Sequence, residues 1–330
     1  VIITKYRIAL VHLMKDLDPA ALDCLAALAD EGAFERAAAR LAITQSAVSQ
    51  RLRALETQVG QPLVIRSRPL QLTDAGKVLL RFARQWHALR ADAARELGAR
   101  LASAERLPIA VNADSLATWV LPALDPVVQA GHRDGYGLEL IVDDQDFTHE
   151  WLRQGAVLGC VSTVSDALRG CRVQPLGVMH YTAVASPAFV RVQLSGSLTR
   201  ENFARVPFLV FNRKDDMQAQ WVARAFGVRA PRLQERYVPS SDAYVRAAAM
   251  GWGVGVAPWV QVREAVERGA LLALRTDVTV PVALHWHQWQ FGGGAGGPPS
   301  LLDQIGGALE RGARAALEGE HSLPRQSRVA

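Results

Sequence analysis

The chain has 330 residues, 49% apolar and 21% charged, with 37 Lys and Arg against 32 Asp and Glu. That is ordinary usage for folded domains, with length for two or three of them, and it excludes disorder over most of the chain. Gly, Pro, Gln or His break the two longest apolar stretches, Ala247–Val262 and Val278–Leu302, which excludes a membrane-spanning helix there. Cys24, Cys160 and Cys171 are too scattered for a disulfide framework or a metal knuckle and read as small buried residues in a reducing compartment.

Val1–Leu13 carries Lys5 and Arg7 but no small-residue cleavage site, so it reads as an upstream extension ahead of Met14 rather than a signal peptide. Asp18-Pro19 opens a first helix, with Leu22, Leu25, Ala26 and Leu28 on its apolar face and Gly32 as its stop. A second helix is expected over Phe34–Ala42 and a turn at Ile43-Thr44. A third, Gln45–Val59, aligns Val48, Leu52, Leu55 and Val59 on one stripe and ends at Gly60. Its opposite face presents Gln45, Ser46, Ser49, Gln50 and Arg53, side chains suited to base edges and phosphates when a helix end enters a groove. Leu63–Ile65 and Leu70–Leu72 flank Arg66-Ser67-Arg68-Pro69 as a small hairpin, or wing. Between Ala33 and Arg90 ten basic residues face three acidic ones, a local +7 against +5 for the whole chain. That is the footprint of a phosphate binder, although charge by itself is equally consistent with a solvated helical bundle.

Thr73-Asp74 then starts a long helix, expected to run to about Ala104. Leu79, Phe82, Trp86, Leu89 and Ala93 form a heptad seam on it, which implies a partner helix. Beyond Arg106 short apolar strands alternate with helices. The expected strands are Leu107–Val111, Leu138–Val142, Val157–Val161, Tyr181–Ala185, Phe208–Phe211 and Ala283–Trp289, with helix starts at Asp215 and Ser240 and a last helix over Leu301–Glu318. The alternation predicts an α/β region with parallel strands. Gly292–Pro299 reads as a linker, and His285 and His287 as part of an aromatic core edge, since metals demand a third ligand. Gly251-x-Gly253-x-Gly255 lacks dinucleotide-binding spacing, and no GxSxG or HExxH occurs.

The string Phe34–Gly76 holds AA-x-x-L, TQSAVSQ-x-L-x-x-LE, G-x-PL and LT-x-AG in order, and in this it resembles the winged helix-turn-helix of LysR-type transcriptional regulators. Val64 departs from the family's usual Phe, and the wing is one residue short. Asn112–Trp119 (NADSLATW), the following LPAL and Asp215-Asp216-Met217 are similar to the lysine/arginine exporter-regulator (ArgP/LysG-like) branch. The resemblance implies an α+β multidomain chain. Residues 14–73 would form a winged helix-turn-helix and 74–104 a dimerisation linker helix. Residues 105–330 would form a two-lobed α/β, periplasmic-binding-protein-like effector domain, with lobe I near 105–178 and 282–330 and lobe II near 179–281.

It further implies a cytoplasmic activator rather than an enzyme, with no cofactor. Its partners would be double-stranded DNA, a lysine or arginine effector and RNA polymerase, and its assembly a homodimer or homotetramer. The DNA-contacting set is then Thr44, Gln45, Ser46, Ser49, Gln50, Arg53, Arg66 and Arg68. The effector set is Asn112, Asp114, Ser115, Thr118, Asp144, Thr163, Asp215, Asp216, Ser240 and Ser241. Helix N-termini near Ser115 and Ser240 suit an α-carboxylate, and the aspartates suit an amine and a second cation. Asp114, Ser115 and Ser240 are equally good helix caps. Two other readings stand open: an effector-independent or replication-inhibiting DNA binder, and a two-lobed solute-binding protein or enzyme.

Overall fold

A computed structural model describes residues 17–98, 106–134, 136–143, 148–290 and 299–318. The extension at 1–13, Asp144 and most of the Gly292–Pro299 segment lie outside the described residues.

The head forms where local signals say it should. In α1 (Pro19–Glu31) the Asp18 carboxylate caps Ala20 N at 3.0 Å, and Gly32 ends the helix at φ 64. α2 (Phe34–Arg40) stops two residues before the expected Ala42, because Ala42 turns left-handed at φ 53. α3 (Gln45–Val59) is capped by Thr44, whose hydroxyl accepts from Ala47 N at 3.2 Å. Leu25, Leu28, Val48, Leu52 and Leu55 close the core between these helices. The wing is an antiparallel pair, β1 (Val64–Ile65) and β2 (Gln71–Leu72). It sits so close to α4 (Asp74–Glu96) that a Cβ on Gly76 would lie 2.1 Å from the Leu63 carbonyl oxygen.

Two expectations for α4 are corrected. The helix ends at Glu96 rather than near Ala104: Leu97 is its cap, and Gly98 leaves the helix at φ 69. Leu79 does not belong to the outer seam, since it is buried in the head core. The exposed stripe runs instead through Val78, Phe82, Trp86, Leu89 and Ala93, with Trp86 45% exposed.

The rest of the chain is built on one mixed sheet, in the order β10 (Leu272–Leu274), β6 (Cys171–Ala185), β11 (Val280–Trp289), β5 (Gly159–Ser162), β3 (Arg106–Asn112), β4 (Gly137–Asp143), with β9 (Gly255–Pro258) also on β6. β3 (Arg106–Asn112) runs parallel to β4 (Gly137–Asp143) and β5 (Gly159–Ser162), as expected. So does the separate pair β7 (Pro207–Val210) and β8 (Gln234–Tyr237). The other strands do not. β6 (Cys171–Ala185) is 15 residues long, and its expected piece, Tyr181–Ala185, is only its end. It pairs antiparallel with β11 (Val280–Trp289) over most of its length, and with β9 (Gly255–Pro258) and β10 (Leu272–Leu274) near its end. Pro175 and Gly177 (φ 133) obscured this strand's pattern. They lie at a register irregularity opposite Leu284/His285. β6 and β11 therefore carry the sheet from the first lobe into the second.

Helices cover both faces. β3 leads into α5 (Ala113–Ser115), a π-helical turn at Leu116–Val120 and α6 (Leu121–Asp134), followed later by α7 (Thr148–Arg153). The second lobe carries α8 (Pro187–Gln193), α9 (Met217–Phe226), α10 (Ser241–Ala249) and α11 (Trp259–Glu267). α12 (Leu301–Leu317) returns to the first. Ile109, Trp119, Trp286 and Ile305 anchor the main core, and Leu209, Tyr244 and Val262 a second one. Among the described residues no helix is long and apolar enough to cross a membrane.

His287 is fully buried, donates from Nε2–H to Val164 O at 2.7 Å, and packs edge-on against His149. Burial pushes both imidazoles below their usual pKa, which favours the neutral form. Burial likewise raises the Cys171 thiol to about 12.

Candidate nucleic-acid interface and ligand cleft

Capping by Thr44 brings the first turn of α3 to the surface, where Gln45, Ser46, Gln50 and Arg53 are exposed and Ser49 is half-buried. The Gln45 amide is turned toward the head, donating to Glu35 Oε1 at 3.1 Å, and Ser46 Oγ lies 2.9 Å from Thr44 Oγ1. Gln50 and Arg53 extend one turn further along the same face. In the wing, the Arg66 guanidinium stacks 5.8 Å from the Phe34 ring centroid, which holds the wing against the head, and Arg68 is exposed. The local charge excess is smaller than the count suggested. Asp30 takes both Arg40 (2.7 Å) and Arg84 (2.5 Å), and Glu31 engages Arg36. Both acids lie just upstream of the stretch counted.

The second site lies between the lobes. Asn112 ends β3, and the turn into α5 points Asp114 across the sheet. Its Oδ2 accepts from the Tyr181 hydroxyl on β6 at 2.6 Å, and its Oδ1 from Ser241 Oγ at the start of α10, also at 2.6 Å. Gln261 on α11 donates to Ser241 Oγ at 2.9 Å and extends the chain of polar contacts. These groups line a cleft with about 60 Å³ of free space, together with Phe211, Asp215, Met217, Tyr244 and Pro258. Asn112 is 2% exposed, and its Oδ1 has no hydrogen-bond partner among the described residues. A buried acceptor left so is costly unless something supplies a donor. The cleft can thus offer a carboxylate, an amide acceptor and aromatic walls to a small cation-bearing ligand.

Four of the ten expected effector residues meet in this cleft: Asn112, Asp114, Asp215 and Ser241. Asp215 is committed to the fold as well, accepting from Phe211 N, Met217 N and Gln218 Nε2 at 2.9–3.1 Å. Asp144 is outside the described residues, and the other five lie elsewhere. Ser240 caps α10 through Ala243 N, and Asp216 accepts from Gln220 on the surface. The Thr118 hydroxyl donates back to Asp114 O, as β-hydroxyls in helices do. Ser115 is fully buried beside the cleft, and Thr163 does not line it. Tyr181, Phe211, Tyr244 and Gln261 were not anticipated. Tyr181 reaches the cleft on the antiparallel β6, Phe211 just past the end of β7, and Tyr244 and Gln261 on helix faces, and no local spacing announces them.

Tyr244 forms the cleft floor. Its hydroxyl receives Val256 N (2.9 Å) and Gln218 Nε2 (3.1 Å) and donates to Leu209 O (2.9 Å), while burial raises its pKa. Tyr244→Phe strands these groups, and a loss of about 1–3 kcal/mol in stability is expected. Denaturant unfolding would show it as a lower midpoint at unchanged slope.

Both halves of the chain match known family models. Residues 19–77 match the family model "Bacterial regulatory helix-turn-helix protein, lysR family", and residues 102–291 match "LysR substrate binding domain". The chain belongs to the LysR family of transcriptional regulators. Within it, the chain falls in the ArgP/LysG branch. It is 42% identical over 277 residues to the regulator ArgP of Aeromonas salmonicida, covering 84% of this chain and 92% of that one. To LysG of Mycobacterium bovis it is 39% identical over 278 residues, covering 83% and 88%. Among solved structures, ArgP from Mycobacterium tuberculosis superposes with TM-score 0.74 at 38% identity, covering 89% of this chain and 96% of that one. Full-length LysG from Corynebacterium glutamicum with bound effector Arg gives 0.67 at 33%, covering 91% and 99%. The LysR head binds DNA through its helix-turn-helix, and the family is one of regulators, not enzymes.

Proposed function

We propose that this LysR regulator binds arginine or lysine in the cleft around Asp114 and in response controls transcription of an amino-acid exporter gene. It would act as an activator that engages RNA polymerase, assembled as a homodimer or homotetramer. In this reading residues 14–73 are the DNA-binding head, 74–104 the linker, whose helix ends at Glu96, and 105–330 the two-lobed sensor with the lobe boundaries given above.

The observation that carries the reading is the Asp114 carboxylate, whose two oxygens are bonded to Tyr181 on the crossover strand and to Ser241 on the second lobe. A ligand ammonium or guanidinium competes for those oxygens, so occupancy changes what holds the lobes together. Asp215 offers a second negative charge in the same cleft. The arginine found in the Corynebacterium LysG relative supports the ligand class. An entering cationic group competes for the Asp114 oxygens that the Tyr181 and Ser241 hydroxyls now hold. The resulting shift between assembly states requires different ligand affinities for each.

Titration calorimetry of the purified protein with L-arginine, L-lysine, L-leucine and L-glutamate tests this. Saturable heat with the basic pair alone is expected. Equal binding of leucine, or none of arginine and lysine, would reject the ligand class.

The DNA face has its own test on a promoter fragment retained by the unaltered protein. Gln50→Ala should cost about 1–3 kcal/mol of specific affinity, and Arg66→Ala should lower the salt dependence by about one phosphate contact. If both variants match the unaltered protein over a salt series, neither side chain reaches DNA.

A further inference from the structure

α4 has a third face, separate from the one in the head core and from the exposed stripe, and it lies on the first lobe of the same chain. The Arg81 guanidinium stacks over the Trp289 ring, 5.0 Å from its centroid, at the end of β11. One turn of loop from the first lobe meets the same point. Gly155 has φ +73, and a Cβ there would lie 2.6 Å from Arg81 Cβ and 2.8 Å from its Cα, so only glycine lets the two backbones come this close. Seven residues further on, Ala88 is 7% exposed and belongs to the sensor core rather than the head core. Four residues beyond that, Asp92 Oδ1 accepts from Leu301 N at 3.2 Å, placing a carboxylate at the N-terminus of α12. Negative charge is favoured at that end of a helix. The three contacts are spaced 7 and 4 residues apart, as one helix face requires.

We propose that this face is a clamp that binds the linker helix to the first lobe, so that head and first lobe turn as one body and movement of the second lobe is what the DNA-bound head feels. Arg81 and Trp289 are then positioning residues for signal transmission, touching neither ligand nor DNA. The transmission half rests on the effector reading above; the clamp itself does not.

Two measurements on the full chain separate these. The first is the rate of tryptic cleavage between residues 99 and 106, followed by mass spectrometry. Arg81→Ala should cleave about fivefold faster or more, within the range expected for losing a cation–π contact that gates local opening. Gly155→Ala should do the same by wedging the helix away. Arg81→Lys and Trp289→Phe, which keep a cation and an aromatic face, should stay near the unaltered rate. Trp289→Ala is avoided because it also empties part of the core. Unaltered cleavage in Arg81→Ala would overturn the clamp.

The second measurement is the ratio of DNA affinities with and without L-arginine. The ratio should collapse toward one in Arg81→Ala, while affinity without arginine and the calorimetric arginine affinity are retained. An unchanged ratio would overturn the transmission role. If the unaltered protein itself shows no ratio, the effector reading fails, and the cleavage rates still decide the clamp.

Discussion

Asp114→Ala is expected to weaken arginine binding about 30-fold or more while leaving the head's affinity for DNA intact. Truncating one partner of a desolvated charge pair costs about 2–5 kcal/mol, and 2 kcal/mol is already about 30-fold. The substitution also leaves the Tyr181 and Ser241 hydroxyls without the acceptor that both now share. Asp215→Asn is the instructive contrast. Asp215 accepts two backbone N–H groups and the Gln218 amide, and so holds the start of α9. Its replacement should lower thermal stability more than Asp114→Ala does, whereas Asp114→Ala should have the larger effect on affinity. Calorimetry paired with thermal melts distinguishes them. Full arginine affinity in Asp114→Ala would remove the carboxylate from the site.

Leu89→Asp is expected to give monomers that hold promoter DNA at least about a hundredfold more weakly. Phe82, Trp86 and Leu89 are 37–45% exposed along one side of α4, together with Val78, an apolar stripe that a lone helix does not leave in water without reason. Burying a carboxylate in such a seam is strongly unfavourable. Separating paired heads forfeits the effective-concentration gain of bivalent binding, about 10²–10⁴-fold. Light scattering gives the mass, and gel shifts give the affinity. A dimer mass for Leu89→Asp would move the assembly surface elsewhere.

The head was legible almost to the residue because its signals are local. Asp18, Thr44 and Thr73 each cap the helix they precede, and Gly32 and Gly60 end helices at positive φ. Heptad arithmetic was less sharp. Val78 and Leu79 are adjacent and both apolar, and only packing against Leu80, Ala83 and the head core decides which faces inward. In the cleft, the residues ending or following strands and starting helices (Asn112, Asp114, Asp215, Ser241) could be read from position. The choice between neighbours could not. Ser240 caps while Ser241 faces the cleft, and Asp215 lines it while Asp216 faces solvent. Tyr181 was hidden for a different reason: its segment reads as a strand, but the antiparallel partner on β11 that sets its place in the sheet lies about a hundred residues away.

The two long strands linking the lobes have a mechanical consequence. A pair of antiparallel strands hydrogen-bonded from Cys171↔Trp289 to Tyr181↔Val280 is stiff to stretching and soft to torsion, since twist is the natural freedom of a ribbon. Rearrangement between lobes should therefore be a screw-like rotation about that ribbon rather than a jaw-like opening. Orientation-sensitive probes, such as fluorescence anisotropy of a rigidly attached dye, would register it better than any measure of separation.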